Sequence, residues 1–289
     1  MTRQRTNPAD TPASQPPASL RAGLAQALTF HASFDHGADA DFAIGDKQVY
    51  TVTTPAGPAA DPAPETLTPG LGSPPLSVRP NAGKYGGALA FTQECSHVVV
   101  YKAEKNVAYS PTAFCGTVSF WMNLDPAEIP GQYCDPLQVT DKRFSDDCIW
   151  VDFTKNDAPS DFRLGVFGNR AGWDVKNREA DSQEFYWRLL KVEEPPFAKG
   201  KWTHVVVTWD GLNNSQQGRA RLYFDGAYQG ATGVIREPFT WDVSQARIRL
   251  GTGRYVGLLD DLAFFNRPLT AAEIAMLGGL ERGVGELYG

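Results

Sequence analysis

The sequence predicts an all-β protein: a two-sheet antiparallel sandwich with one short helix near the C-terminus. Three observations carry this. Short apolar-alternating runs rich in β-branched and aromatic residues recur from residue 28 onward. No strand–helix–strand spacing appears, which argues against a parallel sheet. Only one stretch carries clear helix-start and helix-stop signals.

The elements follow in order. Residues 1–24, MTRQRTNPADTPASQPPASLRAGL, are rich in Pro, Ala and Ser and read as a disordered tail. They begin with two arginines but contain no apolar h-region, so no secretory signal is visible. Residues 25–280 form the domain, and 281–289 read as a short C-terminal tail. Expected strands are Leu28–Asp35, Gly87–Thr92, His97–Ala103, Gly116–Leu124, Cys148–Thr154 and Phe162–Phe167. Phe185–Val192, Trp202–Trp209, Ala220–Phe224, Arg247–Gly251 and Leu259–Phe265 complete the set. In GTVSFWMNL, Val118, Phe120 and Met122 point one way while Thr117, Ser119 and Trp121 point the other. Asp225-Gly226 supplies a tight hairpin turn. Residues 52–80 hold many prolines, which remove ladder donors, so they read as a long extended loop. Thr270-Ala-Ala-Glu273 is a capping box, Ile274 and Leu277 are its apolar face, and Gly278-Gly279 stops the helix.

Composition limits the function classes. Hydrophobic residues make up 42% and charged residues 21% of the 289, enough for a packed core without metal or disulfide. The net charge of −6 offers no basic field for nucleic acid or anionic lipid. No apolar run approaches the ~20 residues of a membrane-inserted helix. The four cysteines have no CxxC spacing, so zinc ribbons and redox pairs are not indicated. Cys134 and Cys148 bracket a polar segment and can staple it as a disulfide. Four reduced thiols fit equally well.

The ordered motifs point further. GKWTHVVVTWDG is followed by ARLYFDGAYQG, RIRLGTG and GLLDDLAFFNRPLTAAEIAML. FHASFDHG, GGALAF and FCGTVSFWMN precede them in the same order. This series resembles the laminin-G-like domains of the concanavalin-A-like lectin and glucanase superfamily, over about 240 residues. The departures are the Pro-rich loop, the segment between Cys134 and Cys148, and Asp261 where Glu is usual. The resemblance implies a jelly-roll sandwich with a structural calcium ion. Asp35 and Asp260 would supply carboxylate oxygen and Gly87 a backbone carbonyl, the hard-oxygen set that calcium prefers. The same aspartates can instead cap turns or pair with arginines. Asp39, Asp41 and Asp46 lack the order of an EF-hand and read as solvated loop residues, with service as extra ligands as the alternative.

Three functions remain. The first is a non-catalytic recognition module for carbohydrate or a cell-surface protein, extracellular or on the cell surface by resemblance. Sugar sites use aromatic faces with polar rims. Trp173, Tyr133 and Tyr228 lie near loops, and Asn169, Arg170 and Asp174 can serve as rim groups. Trp173 suits packing as well as binding, and Trp241 suits packing better. The second is a structural or assembly subunit. The third is a laminarinase-like glycoside hydrolase, whose E-x-D-x-x-E spacing recurs as Glu179, Asp181 and Glu184. That mechanism needs two carboxyls on a rigid strand, and the polar stretch around them offers little anchor, so catalysis is disfavoured. His31, His36, His97 and His204 are scattered, with no Ser or Cys partner suggested by spacing.

Overall fold

The computed structural model describes residues 17–53, 65–72, 74–129, 133–155, 160–178, 182–214, 217–253 and 255–289. Helix α1 (Pro17–Ala27) leads into β1 (Leu28–Ala32), β2 (Phe42–Ala43), β3 (Tyr50–Thr53), β4 (Thr68–Pro69) and β5 (Leu76–Arg79). Next come β6 (Ala88–Phe91), β7 (His97–Lys102), β8 (Phe114–Asn123), β9 (Cys134–Arg143), β10 (Asp146–Phe153) and β11 (Phe162–Phe167). Two short helices, α2 (Arg170–Trp173) and α3 (Gln183–Trp187), separate β11 from β12 (Leu189–Val192). The chain ends through β13 (Thr203–Leu212), β14 (Arg219–Phe224), β15 (Ala227–Ala231), β16 (Arg247–Thr252), β17 (Gly257–Phe265), α4 (Ala271–Gly278) and a 3-10 turn (Val284–Leu287).

These strands form two antiparallel sheets. One runs β15-β14-β13-β8-β17-β1-β2, with β6 also on β17 and β5 on β6. The other runs β12-β11-β10-β9-β16-β7-β3-β4. Their inner faces meet in one core, because alternate residues of each strand are apolar. Val118, Phe120 and Met122 of β8 enter it, as their alternation predicts. Phe153, Phe162, Phe197 and Phe224 cluster at one end with ring centroids 5.0–5.4 Å apart.

Several sequence expectations need correction. Pro17–Leu24 is not tail but most of α1, whose Leu24 and Ala27 are buried against Ile274, Leu277 and Val284. A helix with a one-sided apolar stripe orders only when a partner covers that stripe, and here α4 does. The C-terminal segment likewise packs: Val284 and Leu287 are buried, and the Tyr288 hydroxyl reaches His31 Nδ1 at 2.6 Å. Within 52–80, the end of β3 and the strands β4 and β5 are paired, while residues 54–64 and 73 lie outside the described residues. Phe185–Val192 is half helix and half strand, broken at Arg188 (φ −87°, ψ 0°). The segment between Cys134 and Cys148 is not a stapled loop but the β9–β10 hairpin. Cys134 faces Phe153, whereas Cys148 faces Thr140, so the two cysteines sit about 16 Å apart along the ladder. All four cysteines are free, and a disulfide between Cys134 and Cys148 is out of reach. No helix among the described residues is long and apolar enough to cross a membrane.

Candidate functional site

Two regions carry chemistry. The first is the junction of the terminal strands. β1 pairs directly with β17, which brings the chain beyond β1 beside the start of β17. Asp35 is exposed, and its Oδ1 accepts from the Gly87 N–H at 2.6 Å. Asp260 is fully buried, and its Oδ2 accepts from the Tyr85 N–H at 2.9 Å. A Cβ placed on Gly83 would stand 2.0 Å from the Gly87 carbonyl oxygen and 2.7 Å from Asp260 Oδ2. Both oxygens therefore flank one point that only glycine leaves open. Asp260 Oδ1 is buried without a hydrogen-bond partner. Burial, with Asp261 and Asp35 nearby, pushes the Asp260 carboxyl up to about 8. A buried carboxylate with one orphaned oxygen, its other oxygen near a backbone carbonyl, is chemistry a hard cation can use. Among the described residues, no group of three or more His, Cys, Asp or Glu side chains is arranged to hold a metal. The oxygen groups at this junction are the Asp35 and Asp260 carboxylates and the Gly87 carbonyl.

Behind this junction lie two buried histidines that sequence spacing did not connect to anything. His204 Nε2 lies 2.8 Å from Ser119 Oγ, and its ring stacks on Trp121 at 4.8 Å. β8 and β13 pair so that Trp121 faces His204, which places Ser119 two residues along on the same face. Burial lowers the His204 ring to about 4, against the pull of Asp261 and Asp225. His31 Nε2 lies 2.7 Å from Asp261 Oδ1, which also accepts from the Val284 N–H. These contacts tie β1, β17 and the C-terminal turn together. Asp39, Asp41 and Asp46 accept backbone N–H bonds from Val49, Ser33 and Gln48, which fixes their loop.

The second region is the outer face of the eight-stranded sheet at β10–β12, with α2 and α3 laid against it. Phe185 anchors α3 by packing with Phe167 and Trp173, and Ser182 caps the helix through the Phe185 N–H. The two residues after this anchor point outward: Tyr186 is 61% and Trp187 53% exposed. Tyr186 borders a hollow of about 440 Å³, shared with Tyr133, Thr154, Lys155, Arg163 and Lys191 and floored by Leu189. Trp187 borders a second hollow of about 560 Å³, whose wall includes Trp173, Arg188, Arg236 and Glu237. Lys155 and Arg163 lie over the Tyr133 ring at 5.0 and 4.9 Å. Arg163 forms a two-pronged ion pair with buried Asp152. Burial, then the Asp152 charge, pushes the neighbouring Asp135 carboxyl up to about 7.

The residues singled out by sequence distribute unevenly. Tyr133 is exposed and lines the first hollow. Trp173 is 5% exposed and sandwiched with Phe167 and Arg188, so most of its surface is inside. Asn169 caps α2, and Arg170 bonds to Asp174 and Asn177, so these three build the loop. Tyr228 sits on the other sheet against Tyr223, and Trp241 is buried in the core. Glu184 lies on the exposed side of α3, while Glu179 and Asp181 lie outside the described residues. Sequence reasoning missed Tyr186, Trp187, Arg163, Lys155 and Lys191. The available signal was Ser182 three residues before an aromatic triplet, a helix start mistaken for a strand.

Comparison with known proteins agrees with the sandwich fold. A family model described as the concanavalin A-like lectin/glucanases superfamily (Laminin_G_3) matches residues 97–275. No curated protein matches the chain. Among solved structures it is similar to domain 4 of AbnA, a GH43 extracellular arabinanase from Geobacillus stearothermophilus, in complex with arabinotriose. That likeness has a TM-score of 0.53 at 14% identity, over 87% of this chain and 98% of that one. It is also similar to botulinum neurotoxin type C, whose cell entry is described as dependent upon interaction with two ganglioside molecules (TM-score 0.56, 13% identity, 89% of this chain and 52% of that one). The binding domain of botulinum neurotoxin DC in complex with SialylT is a third (TM-score 0.54, 10% identity, 89% and 52%). The chain thus spans about half of the neurotoxin chains it resembles. The matched sequence covers more than half of the chain and the two sheets have the required arrangement, so this protein belongs to the concanavalin A-like lectin/glucanase superfamily.

Proposed function

We propose that this domain is a non-catalytic carbohydrate-recognition module working outside the cell, at a cell surface or in its surroundings, and steadied by a calcium ion. The observation that carries the reading is α3, which holds Tyr186 and Trp187 out over two open hollows while Phe185 locks the helix to the sheet. Sugar rings offer apolar C–H faces and hydrogen-bonding rims, and rigid aromatic surfaces beside polar groups match both. Structural neighbours described in complex with arabinotriose and SialylT give the same fold a precedent for such ligands. The non-catalytic part is supported by Glu184, which sits on a five-residue helix rather than on a core-anchored strand. A calcium ion would be held by the Asp35 and Asp260 carboxylates and the Gly87 carbonyl. Bound there, it would supply the positive charge that Asp260 lacks.

A glycan array probed with the protein and its Tyr186→Ala and Trp187→Ala variants tests the reading. The wild type should bind a defined glycan set, and at least one variant should weaken that binding about tenfold, the effect of losing a stacked anchor. Binding to no glycan, or full binding by both variants, would remove this function.

A further inference from the structure

We infer that the hollow beside Tyr186 takes an anionic sugar, a pyranose bearing a carboxylate, whose charge is held by Lys155, Arg163 and Lys191. The inference rests on the glycan-binding reading and narrows its ligand.

The lining argues it. The chain carries 33 acidic against 27 basic residues, so an arbitrary hollow on its surface would be expected to show carboxylates. Among the described residues this one shows none: its polar lining is Lys155, Arg163, Lys191, Tyr133, Tyr186 and Thr154. Every one of those groups can donate a hydrogen bond, and the cations cannot accept one. The strand register adds a second argument. Arg163 on β11 stands directly opposite Lys191 on β12. Like charges at facing positions are destabilising, and an anion lying between them reverses that sign.

The carboxylates that pair with these cations do not fill the role. Asp152 is buried, takes the Nε and Nη2 donors of Arg163, and does not line the hollow. A guanidinium has five donors, so others remain for a ligand. Lys191 reaches Asp161, whose side chain is 10% exposed, at 3.0 Å and Glu193, which is 75% exposed, at 3.1 Å. An ammonium has three donors, so one remains beside both contacts, and the open pair with Glu193 is weak and readily exchanged. The volume, about 440 Å³, lies within the range of small-ligand sites. Tyr186, at 61% exposure, is the free aromatic surface, since Tyr133 is already covered by Lys155 and Arg163. The sugar ring would therefore lie on Tyr186 with its carboxylate toward the two lysines.

The test uses the full chain on an array of galacturonate, glucuronate and sialate oligosaccharides, each beside its methyl ester and a neutral counterpart, followed by calorimetry on the best ligand. The acid should bind at least tenfold more tightly than its ester, and the advantage should shrink as salt rises. The double variant Lys155→Gln with Lys191→Gln should erase the advantage while its melting temperature stays unchanged. Equal binding of acid and ester, or a preference that survives in the double variant, would overturn the anionic assignment while leaving the module reading intact. Binding of neutral sugars alone, lost in Tyr186→Ala, has the same meaning. Absence of binding to every glycan would overturn both.

Discussion

His204 shows how a single buried side chain couples this fold to pH. Its ring is stacked on Trp121 and bonded to Ser119, and at 1% exposure it is shut off from bulk solvent. Burial keeps it neutral down to about pH 4, below the ordinary histidine value of about 6.5. A base whose folded value is depressed stabilises the fold above its unfolded value. That contribution is lost as pH falls from about 6.5 toward 4, and it amounts to at most about 3 kcal/mol. The urea midpoint should be lower at pH 5 than at pH 7, and His204→Gln should flatten the difference. An unchanged slope in the variant would assign the acid sensitivity to other groups. The Ser119 contact was invisible in sequence because the two residues are 85 positions apart and meet only through the β8–β13 register.

The helices divide into those legible from local signals and those that are not. α4 was legible: the Thr270 hydroxyl accepts from the Glu273 N–H, and the Glu273 carboxylate accepts from the Thr270 N–H. Arg267 extends the box by bonding Glu273 and the Gly23 carbonyl, which joins α4 to α1. Thr270→Ala should cost about 1 kcal/mol, a drop of about 2 °C in melting temperature for a domain of this size. Thr270→Ser should restore most of it, and equal loss in both variants would show that the hydroxyl is not what matters. α1 and α3 were illegible for a different reason. Each is too short to be stable alone, and each exists because a partner covers its apolar side. For α1 the partner is α4, and for α3 it is the outer sheet face at Phe167.

Across the molecule, the first and last strands, β1 and β17, pair within one sheet, and the proposed calcium position lies where they join. If Asp35 and Asp260 hold the ion, adding calcium should raise the melting temperature and a chelator should lower it, because a ligand that binds only the folded state stabilises it. Identical melts in calcium and chelator would exclude the site. Asp260→Asn should remove the response without abolishing folding. The sequence by itself determined the sandwich, most strand positions, the turn at Asp225-Gly226, the capped α4 and the family. Those features depend on period-two alternation and on turn and cap chemistry, which are local. Only the tertiary structure decided that Cys134 and Cys148 stand apart on opposite faces, that Trp173 turns inward, and that Tyr186, Arg163 and Lys191 share one hollow. Those facts depend on register and on which loop folds over which sheet face. A one-residue shift in register would send strand side chains such as Arg163 and Lys191 to the other face while leaving the strand pattern unchanged.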